Sequence, residues 1–194
     1  SSTKLVIPRP PLSAVEWPLL PIGGRQCDAS SSGFSISFID TLRAVVAIEN
    51  HNMTDVVDRV TELNRNAPDF IRLLGGAVTE LALDEQKAIF VFTVPLEYCH
   101  SGDIVQGGFV TAMLDAAMSH AAFGTDRTIT GLASLDISTQ DLGICRGNQP
   151  LRVSGWIKQA THRTAFFEGR IVSADGSLVA TAQSVAKVSR QQAP

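Results

Sequence analysis

One helix-like segment constrains the fold of this 194-residue chain more than any other feature. Between residues 109 and 124, apolar residues cover most of the circumference of a predicted helix, so the helix has to be buried on nearly all sides. It contains one acid, Asp115, and follows the glycine pair Gly107 and Gly108. Gly124 is predicted to cap its C-terminus. The sequence on either side must therefore supply elements that surround this helix.

The flanking sequence predicts strands on both sides of the helix. The run at 87–95 is apolar without alternation, which is typical of a strand covered on both faces. Asp175-Gly176 is a strong hairpin signal between the last two runs. The predicted strands lie at 77–83, 87–95, 128–139, 151–160, 164–173 and 177–189. This order predicts an α+β fold in which an antiparallel sheet wraps around one long central helix.

The first part of the chain differs in composition from the rest. Residues 1–52 contain five prolines and show poor periodicity, apart from a predicted short helix near 39–50. We interpret 1–52 as an N-terminal extension of unknown role, an upstream addition or a pro-segment, and Met53 as a candidate native start. Residues 53–190 then form the domain, and 191–194 form a tail.

Composition limits the partners of the chain. The net charge is −3 and no basic block exists, so neither nucleic acid nor an anionic membrane surface is an expected partner. No apolar run reaches the roughly 20 residues of a membrane span. Three widely spaced cysteines without a C-x-x-C motif favour a reducing, cytoplasmic location. The four histidines lack metal-ligand spacing, and we expect no metal site.

The glycine pair and the acid each permit two interpretations. Gly107 and Gly108 form either a tight turn or a donor site for a carbonyl oxygen, since helix N-termini expose unpaired N–H groups. Asp115 lies about two turns into the helix, too far inside to cap it. Because a buried unpaired carboxylate is unfavourable, Asp115 either bonds a hydroxyl on a neighbouring strand or serves as a nucleophile or general base.

Together these residues resemble a known pattern. The sequence QGG at 106–108 is followed by Asp115, nine residues after the glutamine, and then by SLD at 134–136 in the next strand. With the strand order, this resembles the PaaI-type thioesterases of the hotdog fold over roughly residues 53–190. The chain departs from that pattern at His100, where the family usually has Asn.

The resemblance implies hydrolysis of acyl-CoA thioesters to free acid and CoA, with no cofactor because CoA is part of the substrate. It implies that the Gly107 N–H stabilises the oxyanion and that Asp115 acts as nucleophile or general base. Ser134 would help to position the acid. Gln106 and His100 would fix the loop or contact the thioester.

The resemblance also implies a homodimer that completes the site, or a tetramer, with Asp115 reaching the site of the other subunit. The CoA phosphates need cations or backbone donors at the surface, for which Gly108, Arg163 and Thr164 are candidates. An apolar acyl pocket is expected from Phe109, Met113, Met118 and Leu132.

Two other functions remain open at this stage. A hotdog hydratase or dehydratase would use His100 and Asp115 as acid and base on enoyl or hydroxyacyl thioesters, although the relevant dehydratases lack this glycine spacing. A non-catalytic acyl-CoA sensor would normally carry a DNA-binding module, and residues 1–52 show no basic helix-turn-helix signature. The sequence leaves the preferred acyl chain open.

Overall fold

The computed structural model describes residues 53–191. The predictions for residues 1–52, including the helix near 39–50, lie outside this range, as do residues 192–194. The division into an extension, a domain and a tail therefore stays a prediction.

The described part of the chain contains three α-helices, one short 3₁₀-helix at Leu96–Tyr98 and eight strands. The helices are α1 (53–65), α2 (Asp69–Leu73) and α3 (Gly107–Thr125). The strands are β1 (Gly76–Ala82), β2 (Lys87–Thr93), β3 (Cys99–His100), β4 (Ile104–Val105), β5 (Ile129–Asp141), β6 (Pro150–Ala160), β7 (Thr164–Ser173) and β8 (Leu178–Arg190).

Six strands form one antiparallel sheet in the order β1-β2-β6-β7-β8-β5, and β3 pairs with β4 in a separate small hairpin. Helix α3 contacts all six strands of the large sheet. This arrangement confirms the predicted α+β fold with a sheet wrapped around one helix. Among the strands that the structure describes, β1 and β5 are the two edges of the large sheet, and β5 contacts α3.

The buried residues of α3 and the inner face of the sheet form the core. Phe90, Phe92, Met113 and Leu114 are fully buried there. Gly155 on β6 lets the helix backbone lie directly against the sheet, because a Cβ at this position would come within 2.3 Å of the Met118 nitrogen. This contact fixes the depth at which α3 sits in the sheet.

The predicted cap at Gly124 is wrong. Helix α3 continues to Thr125, and the N–H of Asp126 donates to the carbonyl oxygen of Ala122. Gly124 is buried inside the helix, where a Cβ would lie 2.6 Å from a methyl carbon of Leu81. The glycine is therefore required by packing rather than by helix termination.

Within residues 53–191, no helix has the combination of length and apolar character that crossing a membrane requires.

Candidate active site

The N-terminus of α3 presents free backbone donors. Gln106 is the N-cap and makes no side-chain cap bond. Within the described chain, the N–H groups of Gly107 and Gly108 have no hydrogen-bond partner. A Cβ on Gly108 would meet no atom within 4 Å, so a ligand can approach this backbone closely. The end of the helix can therefore bind an oxygen that gains negative charge.

The segment that follows β5 holds the loop leading to these donors. The Val105 N–H donates to the Cys145 carbonyl at 2.9 Å, and the Gly147 N–H donates to the Asp103 carbonyl at 2.7 Å. Arg146 donates to both carboxylate oxygens of Asp103, at 2.8 and 2.7 Å. These bonds give Gln106 and the glycines a defined position without a side-chain cap.

His100 lies on the same loop, in strand β3, and its side chain is exposed. Its Nδ1 lies 3.1 Å from the hydroxyl oxygen of Ser101. The Gln106 N–H donates to the Tyr98 carbonyl at 3.2 Å. The structure therefore brings His100 and Gln106 onto one loop at the start of α3, as the sequence predicted, and leaves the roles proposed for their side chains as predictions.

Asp115 is half-buried and faces β5 rather than the core. The hydroxyl of Ser134 donates to its carboxylate oxygen Oδ1 at 2.9 Å. Both interpretations of the acid given by the sequence are compatible with this bond, because a hydroxyl that satisfies a carboxylate also orients it.

A bulge in β5 creates the Ser134–Asp115 contact. Ser134 is opposite Ala186 on β8, whereas Asp136 is opposite Val185, so Leu135 is an extra residue in this strand. The bulge turns Ser134 towards α3 and Asp136 to the opposite face. Asp136 lines a surface groove there, with Lys158 and Phe166.

Two further contacts lie in line with this pair, and the sequence analysis did not identify them. The Thr111 hydroxyl donates to the Thr139 hydroxyl oxygen at 3.1 Å. A Cβ on Gly107 would lie 3.6 Å from Oδ2 of Asp141. Gly107, Thr111 and Asp115 are four residues apart along α3, so they share one face of the helix. This four-residue spacing was enough to select Thr111 from the sequence. Thr139 and Asp141 could not be selected in the same way, because their position opposite α3 depends on the strand register.

We call this row of contacts the polar stripe: Gly107, Thr111 and Asp115 on α3, with Asp141, Thr139 and Ser134 on β5. It runs along the edge of the large sheet. Gly107 and Asp115 are eight residues apart, which is about 12 Å along a helix axis. Within one chain, the carboxylate therefore cannot reach a carbonyl group bound at Gly107.

Two of the residues predicted to bind CoA, Arg163 and Thr164, lie away from the start of α3. Arg163 and Thr164 are in and beside the turn between β6 and β7, where the Thr161 hydroxyl oxygen accepts bonds from both of their N–H groups. In the large sheet, Thr164 on β7 pairs with Lys187 on β8, and Lys187 pairs with Ala133 on β5. Within one chain this turn is therefore at the Ser134 end of the stripe, away from Gly107.

The residues predicted for the acyl pocket divide into two groups. Met113 and Met118 are fully buried in the core of the chain, so they pack the helix and do not line an open pocket. Phe109 and Leu132 are only partly buried. The ring of Phe109 packs edge-on against Tyr98, with centroids 5.2 Å apart.

Two buried titratable groups lie near the site. Burial lowers the pKa of His120, while its hydrogen bond to the Ala116 carbonyl and the charge of Asp115 oppose this change. Burial, followed by the charge of Asp141, raises the pKa of the Cys145 thiol to about 11. Cys145 therefore stays protonated at neutral pH. Within the described residues, no three His, Cys, Asp or Glu side chains are grouped to hold a metal ion.

An antiparallel sheet wrapped around one long helix defines the hotdog class of folds, and comparison with solved structures confirms this class. The chain is similar to the PaaI protein from the E. coli phenylacetic acid degradation operon, with a TM-score of 0.61 and 14% identity. That alignment covers 72% of this chain and 95% of PaaI. The predicted resemblance to PaaI-type structures is therefore confirmed at the level of the fold.

Two further solved structures share the fold. A phenylacetic acid degradation-related protein of Ralstonia eutropha JMP134 aligns with a TM-score of 0.60 at 22% identity, over 66% of this chain and 98% of that one. A hypothetical thioesterase protein of Streptococcus pneumoniae TIGR4, whose structure was determined with coenzyme A, aligns with a TM-score of 0.54 at 13% identity, over 73% of this chain and 99% of that one. No protein-family model and no curated protein sequence matches the chain.

Proposed function

We propose that the chain hydrolyses acyl-CoA thioesters, in a homodimer whose two sites each combine Gly107 of one copy with Asp115 of the other. The observation that carries this proposal is the polar stripe. It holds a hydrogen-bonded carboxylate and a free helix N-terminus on one exposed edge, about 12 Å apart. The likeness to a hypothetical thioesterase protein whose structure was determined with coenzyme A supports the choice of substrate.

Strand β5 provides the surface for a second copy. Among the strands that the structure describes it is a 13-residue edge strand, and a long unpaired edge is a template for pairing with another chain. Leu135, Leu142 and Ile144 lie in or just after it and are more than half exposed, at 66%, 56% and 52%. Large exposed apolar groups beside an open edge favour an interface.

A two-fold symmetry axis is sufficient to bring Gly107 of one copy next to Asp115 of the other. In a symmetric dimer, Gly107 of each copy lies beside Asp115 of the other when the axis passes midway between them, near Thr111. On β5 the corresponding midpoint between Ser134 and Asp141 lies at Ile137 and Ser138. We therefore propose antiparallel pairing of the two β5 strands centred on these residues.

The chemistry follows from this arrangement. The thioester carbonyl oxygen accepts a hydrogen bond from the Gly107 N–H, and the helix dipole stabilises the negative charge as the tetrahedral intermediate forms. Asp115 of the second copy either attacks the carbonyl carbon or removes a proton from the attacking water. The carbon–sulfur bond then breaks, and CoA leaves as a thiol after taking up a proton. In the route through an acyl-enzyme anhydride, water hydrolyses the anhydride and restores Asp115.

The remaining predicted residues have supporting roles in the proposal. Ser134 holds the Asp115 carboxylate in one orientation. Gln106 and His100 shape the loop at the carbonyl site, and the exposed His100 ring can contact the thioester. Gly108 provides a backbone N–H donor for the CoA phosphates, and the turn at 163–164 provides the cation of Arg163 and the hydroxyl of Thr164.

Thiol release from a panel of short, medium, long and aryl acyl-CoAs tests this function. The expected result is hydrolysis by the unchanged protein and a loss of several hundredfold or more in Asp115→Asn, since removal of a key catalytic group commonly costs about 10²–10⁴ in rate. Asp136→Asn is the matched control, because it removes the same charge from the opposite face of β5. Near-normal turnover by a folded Asp115→Ala variant would reject the assignment, and hydration of enoyl-CoA without thiol release would favour a hydratase.

A further inference from the structure

Asp141 lies at the proposed carbonyl site but has no part in the chemistry described above. It is the last residue of β5, and its Oδ2 is 3.6 Å from the position that a Cβ of Gly107 would occupy. Alternation along β5 places it on the same face as Thr139, towards α3. The first turn of α3 contains no acid, so Asp141 is the carboxylate set against this helix end.

The charge of Asp141 is not neutralised by a neighbour. Within residues 53–191 its carboxylate has no hydrogen-bond or ion-pair partner. The cation on the adjoining segment, Arg146, is held by both oxygens of Asp103 at 2.8 and 2.7 Å. The charge of Asp141 also contributes to the raised pKa of the Cys145 thiol, so its electrostatic effect reaches the segment that follows β5.

We propose that Asp141 determines the charge selectivity of the site, so that the enzyme accepts neutral acyl groups and rejects acyl groups that carry a carboxylate. This inference rests on the proposed function. The transient oxyanion is stabilised directly by backbone N–H donors, whereas a second carboxylate on the acyl group meets the charge of Asp141, which the adjoining Arg146 does not neutralise because Asp103 holds it. A repulsive element of this kind discriminates against one substrate without improving the binding of another.

Butyryl-CoA and succinyl-CoA provide the test, because their acyl groups have the same four carbons and differ by one terminal carboxylate. The measured quantity is the ratio of kcat/KM for succinyl-CoA to that for butyryl-CoA. We expect Asp141→Asn to raise this ratio at least tenfold and Asp141→Glu to keep it within about threefold of the unchanged protein. Asp136→Asn, which removes a charge from the other face of β5, should leave the ratio unchanged.

A ratio in Asp141→Asn that stays within twofold of the unchanged protein overturns the proposal, as does an equal rise in Asp136→Asn. A second measurement separates this result from failure of the proposed function. Calorimetric binding of the non-hydrolysable thioether analogues of the two acyl-CoAs requires no turnover, and Asp141→Asn should shift the ratio of the two Kd values in the same direction. If the unchanged protein hydrolyses neither acyl-CoA, the proposed function fails, and the Kd ratio still decides the role of Asp141.

Discussion

The Ser134 hydroxyl donates a hydrogen bond to the Asp115 carboxylate at 2.9 Å, across the contact between α3 and β5. This bond joins the only acid within α3 to the edge strand of the sheet. It exists because an extra residue in β5 turns Ser134 inwards. The proposed chemistry depends on the orientation that this bond gives to Asp115.

Ser134→Ala should lower kcat about tenfold with little change in KM, because the carboxylate loses the donor that orients it but keeps its charge. Thiol release under saturating acyl-CoA measures this effect. Ser173→Ala is the matched control, since it removes a similar hydrogen bond from a serine hydroxyl to a carboxylate, that of Asp175, in the turn between β7 and β8. Equal losses in both variants would show that the effect is structural.

Arg163→Ala should raise the KM for acyl-CoA several-fold without changing kcat, because a phosphate contact binds the ground state and the transition state equally. Steady-state kinetics at two salt concentrations measure this effect, and the difference between the proteins should shrink at high salt. Arg152→Ala provides a control, as Arg152 pairs with Glu80 in another part of the sheet. An unchanged KM would remove the turn between β6 and β7 from the proposed site.

Gly155→Ala should destabilise the fold by about 3 kcal/mol or more, because the added Cβ collides with helix backbone that cannot move independently. The nearest atom would be the Met118 nitrogen, at 2.3 Å. Urea unfolding measures the change in the free energy of unfolding. Gly131→Ala is the control, since its Cβ would meet Ser189 at an ordinary 3.6 Å.

The free energy of unfolding should depend on pH through His120. Burial lowers the pKa of this histidine in the folded state below its ordinary value of 6.5, so the unfolded chain binds the proton more readily. The stability that the neutral ring contributes is present above pH 6.5 and is lost as the pH falls through the lowered pKa. Urea unfolding from pH 5 to 8 should show a gap between the unchanged protein and His120→Gln that grows with pH and levels off near neutrality. A gap that is constant or shrinks with pH would contradict this account.

The sequence predicted the elements of the fold well because their signals are local. A segment with apolar residues on most of its circumference indicated α3, and each predicted strand end lies within two residues of the observed one. Gly124 was misread because a glycine near a helix end indicates a cap, while the packing of Leu81 that requires it arises from a distant strand. Tertiary contacts of this kind are not encoded in any short window of sequence.

The candidate site was predicted in part for the same reason. Spacing along α3 and the resemblance selected Gly107, Asp115 and Ser134 as candidates, and the structure places all three in the polar stripe. The bulge at Leu135, the Thr139 contact and the position of Asp141 depend on the register between β5 and its neighbours, which two-residue alternation does not specify. A bulge also breaks that alternation, so Ser134 and Asp136 lie on opposite faces although their sequence spacing predicts one face.

The central claim is that each site combines residues of two copies of the chain. Gly107→Pro removes the proposed oxyanion donor and is compatible with the fold, because proline is favoured at the first position of a helix and Gln106 already has the extended backbone that precedes proline. Gly107→Pro and Asp115→Asn should each be inactive as pure proteins. Gly107→Ala, which keeps the N–H, is the control for the substitution.

Thiol release by a mixture of these two inactive variants, unfolded together and refolded at equal concentrations, tests this claim most directly. Half of the dimers then contain one copy of each variant, and one of their two sites combines an intact Gly107 with an intact Asp115. We predict recovery of about a quarter of the activity of the unchanged protein. A mixture that forms mixed dimers yet releases no thiol would contradict a site shared between two copies.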